Sequence, residues 1–180
     1  MNVFTPTQLL PDVQAQADFR EQRIDAVGIK GVRYPVVIHS GARAVHTIAS
    51  LSMTVALPPE VKGTHMSRFI ELLEARAGQL DQAAFRAMVF EMLERLGASS
   101  GRIAMRFPWF VSKAAPVSGV SSLLDHDVEW TGDVAQDGRY SFRMRVQVPA
   151  TSLCPCSKQI SEYGAHNQRS HIGIDAAIGG

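Results

Sequence analysis

Net charge is nearly absent from this chain, in which 18 basic and 17 acidic residues leave a formal charge of +1 at pH 7. Proteins that hold nucleic acid non-specifically need an excess of Lys and Arg to displace the counterions of the phosphate backbone. The sequence therefore predicts no nucleic-acid partner.

Long apolar runs are also missing, although 46% of the residues are hydrophobic. No uninterrupted stretch reaches the length of about 20 residues that spans a bilayer. The amino terminus, Met1–Pro6, lacks the basic segment and the apolar core of a secretory signal. We therefore expect a cytoplasmic protein without a membrane partner, whose thiols stay reduced and available to metal.

Cysteine is scarce, and both cysteines, Cys154 and Cys156, lie in one short segment that also holds His166 and His171. Thiolate and imidazole are the ligands that zinc and related divalent transition metals take in proteins. Pro155 biases Cys154 towards an extended conformation, in which alternate side chains point the same way and both sulfurs can face one pocket. The pattern predicts a metal-dependent active site.

Three other interpretations of this cluster stay open. A structural zinc site would use all four residues, although the Cys-Pro-Cys spacing is not typical of a zinc finger. A disulfide between Cys154 and Cys156 would close a very short and strained loop. The cysteines could also be small buried hydrophobes, beside histidines that hydrogen-bond to the backbone.

Three motifs carry a resemblance to a known family. They are Thr151-Ser152-Leu153-Cys154-Pro155-Cys156-Ser157-Lys158 with Tyr163-Gly164-Ala165-His166-Asn167-Gln168-Arg169-Ser170-His171, then Lys62-Gly63-Thr64-His65-Met66-Ser67-Arg68-Phe69, and Asp25-Ala26-Val27-Gly28-Ile29 with Arg33-Tyr34-Pro35. Together they resemble the type IB GTP cyclohydrolases. The motifs keep the family's order, and the resemblance extends from Asp12 to His171.

This resemblance implies the hydrolysis and rearrangement of GTP to 7,8-dihydroneopterin triphosphate with release of formate, the first step of pterin and folate-type biosynthesis. Matched residue by residue, Cys154 and His166 become ligands of a divalent metal such as Zn²⁺, Mn²⁺ or Fe²⁺. Cys156 and His171 become candidate acid/base or water-orienting groups, and His65 becomes a further catalytic candidate. An alternative for Cys156 is that it completes the metal shell or, when the metal is lost, pairs with Cys154. A bound cation would lower the pKa of its water towards about 7.

Basic residues near two of the motifs are candidates for binding the triphosphate. Lys62 and Arg68 flank the start of the first predicted helix, where free backbone N–H groups and the helix dipole favour anions. Lys158 and Arg169 flank the metal motif and can offer charge-assisted hydrogen bonds. For each of these four residues the plain alternative is a solvated surface charge.

Apolar spacing predicts two strands, two helices and then at least two further strands. Alternation predicts strands at 32–38, 46–57, 102–110, 126–134, 140–148 and 171–176, with hairpin turns at 40–42 and 137–138. Helical spacing predicts one helix from Met66, with a stripe through Phe69, Ile70 and Leu73, and a second over Asp81–Leu96. We interpret the methionine-rich stripe of the second helix as core packing.

This order predicts an α+β fold in which an antiparallel sheet carries two helices on one face. The family resemblance implies the tunnelling fold, with the order ββααββ. We expect an N-terminal arm over residues 1–24, a first module over 25–149, and the metal motif with the start of a second module over 150–180. Exposed sheet edges favour closure into a ring, so we expect a homotetramer that binds GTP at subunit interfaces.

The polar face of one strand and the length of the chain complete these expectations. A solvated or ligand-containing tunnel is expected to be lined by Ser141, Arg143, Arg145 and Gln147.

Members of the resembled family carry two modules in tandem, whereas this sequence reaches only the start of the second. A third metal ligand, a glutamate, and an acidic residue that holds guanine are expected beyond Gly180, so we interpret the sequence as part of a longer protein.

Alternatives to this function also stay open. The archaeal branch of the family makes a cyclic phosphate product and favours ferrous iron, and nothing in the sequence separates the two. A non-catalytic metal-binding protein on the same fold is another possibility. The related nitrile reductase of queuosine synthesis is disfavoured, because no loop for its NADPH cofactor is recognisable and because the paired cysteines with histidines suit a metal. The product's destination, folate or modified nucleosides, also stays open.

Overall fold

The computed structural model describes residues 22–163 and 167–178. Its elements are β1 (Ile24–Ser40), β2 (Arg43–Leu57), α1 (Ser67–Arg76), α2 (Gln82–Leu96), β3 (Gly101–Ala114), β4 (Ser121–Val134), β5 (Tyr140–Leu153), α3 (Pro155–Ile160) and β6 (Asn167–Ile178). The six strands form one antiparallel sheet in chain order. The α+β class is confirmed, and the observed order continues beyond the predicted ββααββ through β5, α3 and β6. Of the predicted arm, residues 1–21 lie outside the described part.

The first hairpin is longer than its sequence pattern indicated. β1 and β2 pair from Ile24 and Leu57 to Ser40 and Arg43, around the predicted turn. Alternation alone did not indicate the first part of β1, which the family resemblance implies to be a strand, because register shifts between Ile24 and Val27, and between Ile29 and Val32, interrupt the alternation of side chains. The expected module boundary at residues 149 and 150 falls inside β5.

One face of the sheet and the two longer helices share a hydrophobic core. The ring of Phe85 on α2 lies 5.6 Å from Trp130 and 5.9 Å from Phe142, measured between centroids, in edge-to-face arrangements that favour aromatic pairs. Met88 and Met92 are fully buried, which confirms that the methionine-rich stripe is core. The buried side chains of the sheet include Val36, Ile38, Ala49, Leu51, Met53, Val55, Ile103, Met105, Phe107 and Val128.

Helix α2 begins and ends at the positions that the sequence predicts, after Asp81 and before Gly97. The side chain of Asp81 accepts a hydrogen bond from the amide of Ala84 at 2.7 Å, which caps the first turn. Gly97 ends the helix with a φ of 61°, a left-handed conformation that glycine adopts without strain. None of the helices in the described ranges is long and apolar enough to cross a membrane.

The predicted stripe of α1 is only partly correct. Phe69 and Leu73 are buried as expected, but Leu72 is buried with them, while Met66 and Ile70 are 40% and 37% exposed. The packed face of this short helix is therefore rotated from the predicted one. Because Leu72 and Leu73 are adjacent, the spacing of apolar residues does not determine which side of the helix faces the core.

The opposite face of the sheet is polar, and neither α1 nor α2 covers it. Arg106 and Glu129 form an ion pair at 3.1 Å, and Arg143 and Arg145 each lie 3.6 Å from Asp175. A concavity of about 530 Å³ lies over this face. The predicted polar character of β5 is confirmed, since the Arg143 and Arg145 side chains are 65% and 62% exposed.

Candidate functional site

The pairing of β5 with β6 holds together the two ends of the cysteine–histidine segment. Leu153 pairs with Asn167 in the last position of this hairpin. Cys154 directly follows Leu153 and His166 directly precedes Asn167 in the sequence, although His166 lies outside the described residues. The register therefore brings together the residues that flank segment 154–166.

The backbone turns into a helix immediately after Cys154. Cys154 is extended, with φ −65° and ψ 123°, and Pro155 then opens α3. Proline suits the first helical position, because its φ is already helical and its missing N–H would have no partner there. The predicted extended conformation thus holds for Cys154 and is wrong from Pro155 onwards.

The two cysteines are both free but differ in exposure, since Cys154 is 7% exposed and Cys156 is exposed. Hydrogen bonding from the backbone of Ser157, with smaller contributions from the backbone and the thiol of Cys156, lowers the pKa of the Cys154 thiol. A lowered pKa favours the thiolate, which is the form that binds metal ions. The chemistry of Cys154 therefore fits a metal ligand.

Ser157 supports this arrangement and was not among the predicted site residues. It is 2% exposed, and its hydroxyl donates to the carbonyl of Cys154 at 2.9 Å. The amide of Lys158 donates to the same carbonyl at 3.2 Å. A sequence signal for this contact was available. Cys154 precedes a proline, and a serine three residues after such a position commonly hydrogen-bonds to the backbone at the start of a helix.

Within residues 22–163 and 167–178, no group of three or more His, Cys, Asp or Glu side chains is arranged to hold a metal ion. Cys154 is described, whereas its predicted co-ligand His166 is not. Lys158 is exposed on α3, close in sequence to Cys154.

Arg169 and His171 lie on β6, opposite Thr151 and Pro149 of β5. Alternation along the strand puts them on the same face as Asp175, the partner of Arg143 and Arg145. His171 is four residues along the strand from Asn167, or about 13 Å at the usual rise. Within one chain His171 therefore faces the polar side of the sheet, at a distance from Cys154.

The second motif lies at the other end of the sheet. It follows the end of β2, which the pairings through β3 and β4 place at the end of the sheet where β5 begins, whereas Cys154 follows the last residue of β5. A strand as long as β5 spans about 45 Å. One chain therefore does not bring Lys62 and His65 together with Cys154.

Arg68 has a defined partner within the helical layer. Its guanidinium donates to the carbonyl of Arg95, in the last turn of α2, at 2.6 Å. This contact ties the beginning of α1 to the end of α2. His65 is half-buried and Thr64 is 7% exposed, so the loop before α1 packs against the protein.

Comparison with known proteins gives consistent matches. A family model described as type I GTP cyclohydrolase FolE2 matches residues 10–179. The chain is 56% identical over 170 residues to GTP cyclohydrolase FolE2 1 of Dechloromonas aromatica, covering 94% of this chain and 64% of that protein. It is 53% identical over 180 residues to GTP cyclohydrolase FolE2 2 of Cupriavidus metallidurans, covering 100% of this chain and 67% of that protein.

A third relative, GTP cyclohydrolase FolE2 of Azoarcus, is 51% identical over 170 residues, covering 94% of this chain and 63% of the relative. The chain thus spans a little under two thirds of the length of two of these curated relatives and 67% of the third. The match nevertheless includes all three motifs identified in the sequence.

Proposed function

Since the chain belongs to the type I GTP cyclohydrolase FolE2 family, we propose that it forms part of an enzyme that converts GTP to 7,8-dihydroneopterin triphosphate with release of formate. The observation that carries this proposal is the family match over residues 10–179, which spans the cysteine–histidine motif as well as the two motifs before it. The reaction would supply a cytoplasmic pterin or folate-type pathway, where reducing conditions keep thiols free.

Cys154 and His166 are the proposed ligands of a divalent transition metal, Zn²⁺, Mn²⁺ or Fe²⁺. The buried position of Cys154 and the lowered pKa of its thiol support its assignment. When bound, such a cation would supply a water of lowered pKa at neutral pH. Cys156, which is exposed two residues after Cys154, is then a proton donor or acceptor next to the ligand shell.

His65 and His171 are the other proposed acid/base groups, and Lys62, Lys158 and Arg169 are proposed to bind the triphosphate. Phosphate oxygens accept charge-assisted hydrogen bonds from such cations. Arg68 is proposed for the same role only after it releases the carbonyl of Arg95. Its present contact favours a role in holding the loop that carries Lys62 and His65.

We further propose the tunnelling fold and a homotetramer whose sites are shared between chains. The polar concavity of the sheet and its six antiparallel strands support the fold assignment. The separation of the Lys62–Arg68 motif from Cys154 within one chain supports shared sites, because a second chain can supply the missing motif.

The direct test uses the full natural protein that contains this chain. Turnover of GTP should release formate together with 7,8-dihydroneopterin triphosphate, and chromatography of the product distinguishes the triphosphate from a cyclic phosphate. Cys154→Ala and His166→Ala should each lose bound metal and activity while the far-ultraviolet circular dichroism is kept. Ile160→Ala, at a site 83% exposed on the same hairpin, is the matched control. Full metal occupancy in a ligand variant would remove that residue from the assignment.

A mixing experiment tests shared sites. Inactive His65→Ala chains are combined with inactive Cys154→Ala chains under conditions where subunits exchange. Mixed assemblies should regain part of the activity, because some sites would then draw an intact motif from each chain. No recovery despite demonstrated exchange would mean that each site is built within one chain or that His65 is not part of it.

A further inference from the structure

The short helix α3 buries its serine and leaves its isoleucine exposed. Ser157 is 2% exposed, whereas Ile160 is 83% exposed. Burying an aliphatic side chain stabilises a protein, while burying a hydroxyl costs free energy unless the hydroxyl is hydrogen-bonded. Among the described residues the buried polar side chains are Ser157 and Thr64, and both lie in motifs that the family match includes. The burial of Ser157 therefore needs an explanation other than apolar packing.

The hydroxyl of Ser157 acts on the carbonyl of Cys154. It donates to this oxygen at 2.9 Å, and the amide of Lys158 donates to the same oxygen at 3.2 Å. The bond from Lys158 is the ordinary first bond of an α-helix, since it joins residues four apart. The bond from the hydroxyl is an additional contact that the serine side chain supplies.

These contacts fix the direction in which Cys154 presents its sulfur. The ψ angle of Cys154, 123°, describes the rotation between the Cα atom that carries the side chain and the carbonyl that Ser157 holds. On the other side, Leu153 pairs with Asn167 in the sheet. Because the backbone of Cys154 is held from both directions, its sulfur keeps only the rotation about the Cα–Cβ bond.

We propose that Ser157 is a positioning residue of the metal centre, whose buried hydroxyl holds the Cys154 carbonyl so that the sulfur meets a divalent transition metal in one orientation. This role rests on the proposed assignment of Cys154 as a ligand and deepens it, since Ser157 acts through the backbone of that ligand. Groups that orient metal ligands commonly change metal affinity by about 10–100-fold when they are removed.

Ser157→Ala in the full natural protein is the first test. The bond from the Lys158 amide stays in place, so α3 and the fold should persist. The affinity for Zn²⁺, measured by competition with a chromogenic chelator, should fall by about 10–100-fold. Ser152→Ala, the same change at an exposed position two residues before Cys154, is the control and should leave the affinity unchanged.

Cobalt separates positioning from a merely structural role. Thiolate ligation of Co²⁺ gives a near-ultraviolet charge-transfer band, whose position and intensity depend on the orientation of the sulfur. At a concentration of Co²⁺ that saturates the site, loss of a residue that only stabilises the fold leaves this band unchanged. Ser157→Ala should instead shift or weaken the band, because the sulfur is no longer held in one orientation.

A second pair of variants isolates the hydroxyl. Ser157→Thr and Ser157→Val introduce side chains of the same shape, but only the first can donate to the Cys154 carbonyl. Any overpacking of the buried position is therefore common to both variants. Ser157→Thr should bind Zn²⁺ more tightly than Ser157→Val, and its cobalt band should lie closer to that of the unaltered protein.

Two results would overturn the role of Ser157 alone. One is an unchanged Zn²⁺ affinity together with an unchanged cobalt band in Ser157→Ala. The other is equal affinity and equal bands in Ser157→Thr and Ser157→Val. Cys154→Ala distinguishes these results from a failure of the proposed ligand, since it should lose most of the cobalt band. A band of full intensity in Cys154→Ala would remove that cysteine from the ligand set and overturn the role of Ser157 with it.

Discussion

The helix-covered core and the cysteine-bearing hairpin of this protein are built by different means. In the core, Phe69, Phe85 and Met88 are fully enclosed between α1, α2 and the sheet. In the hairpin β5–α3–β6, α3 buries only Ser157, and Ile172 and Ile174 of β6 are more than half exposed. The comparison teaches that apolar burial stabilises the first region, whereas strand pairing and a few polar contacts order the second. Substitutions should therefore affect stability in the core and chemistry in the hairpin.

The largest effect is expected from truncation in the core. Phe85→Ala removes a fully buried ring that contacts Trp130 and Phe142, so the free energy of unfolding should fall by about 3–5 kcal/mol. Chemical denaturation measures the change. Ile174→Ala in the hairpin, at a position 56% exposed, should cost less than about 1 kcal/mol. Equal losses of unfolding free energy in the two variants would contradict the proposed difference between the regions.

The same substitution to alanine at two glycines, one in the core and one in the hairpin, tests the difference in packing between the two regions. A Cβ at Gly132 would lie 2.9 Å from Val89 and 3.1 Å from Phe85, because α2 packs closely on β4 there. Gly132→Ala should therefore cost about 1–3 kcal/mol through overpacking. A Cβ at Gly173 on β6 would meet no atom within 4 Å. Thermal denaturation should show Gly173→Ala to be neutral or slightly stabilising, and a loss as large as that of Gly132→Ala would contradict this account.

A smaller, local effect is expected in the hairpin. Ser157→Ala removes the hydrogen bond to the Cys154 carbonyl, at a cost of about 1 kcal/mol. Because this contact lies within the turn of α3, amide hydrogen exchange should accelerate there and remain unchanged in α2. Ser152→Ala, at an exposed position on β5, is the control. Faster exchange throughout the helical layer would show that the two regions unfold together.

The smallest effect concerns pH and the link between α1 and α2. Burial raises the pKa of Glu91, but hydrogen bonds from Arg95 and Arg76 outweigh it and leave the pKa below its ordinary value. The nitrogen–oxygen distances are 2.6 Å to each arginine. The carboxylate therefore stabilises the fold above the ordinary pKa of a glutamate, and this contribution is lost as pH falls through the lowered pKa.

Glu91→Gln should accordingly reduce the free energy of unfolding by about 1 kcal/mol or less near neutral pH, and the difference from the unaltered protein should vanish in acid. Glu74→Gln, an exposed position on α1, should show almost no difference at any pH. A Glu91 difference that persists unchanged in acid would indicate a packing effect of the substitution.

The candidate site was only partly accessible from the sequence. The residue types of the motif predicted a metal site around Cys154, and its lowered thiol pKa fits that chemistry. The spacing of Ser157 from Cys154 was a usable signal for its hydrogen bond, but its burial became evident only in the structure. The role of Arg68 was assigned from its place in a motif, whereas the carbonyl it contacts belongs to a helix 27 residues away in the chain.

By itself, the sequence determined α1, α2, most of the strands and the polar face of β5. These features depend on local periods and on caps such as Asp81 and Gly97, which are encoded within a few residues. The tertiary structure alone decided that two register shifts interrupt the first part of β1, that α3 begins at Pro155, and that the Lys62 and Cys154 motifs lie at opposite ends of one sheet. Strand pairing connects residues far apart in the chain, so these distances are fixed by the register of neighbouring strands and by the packing of helices upon them.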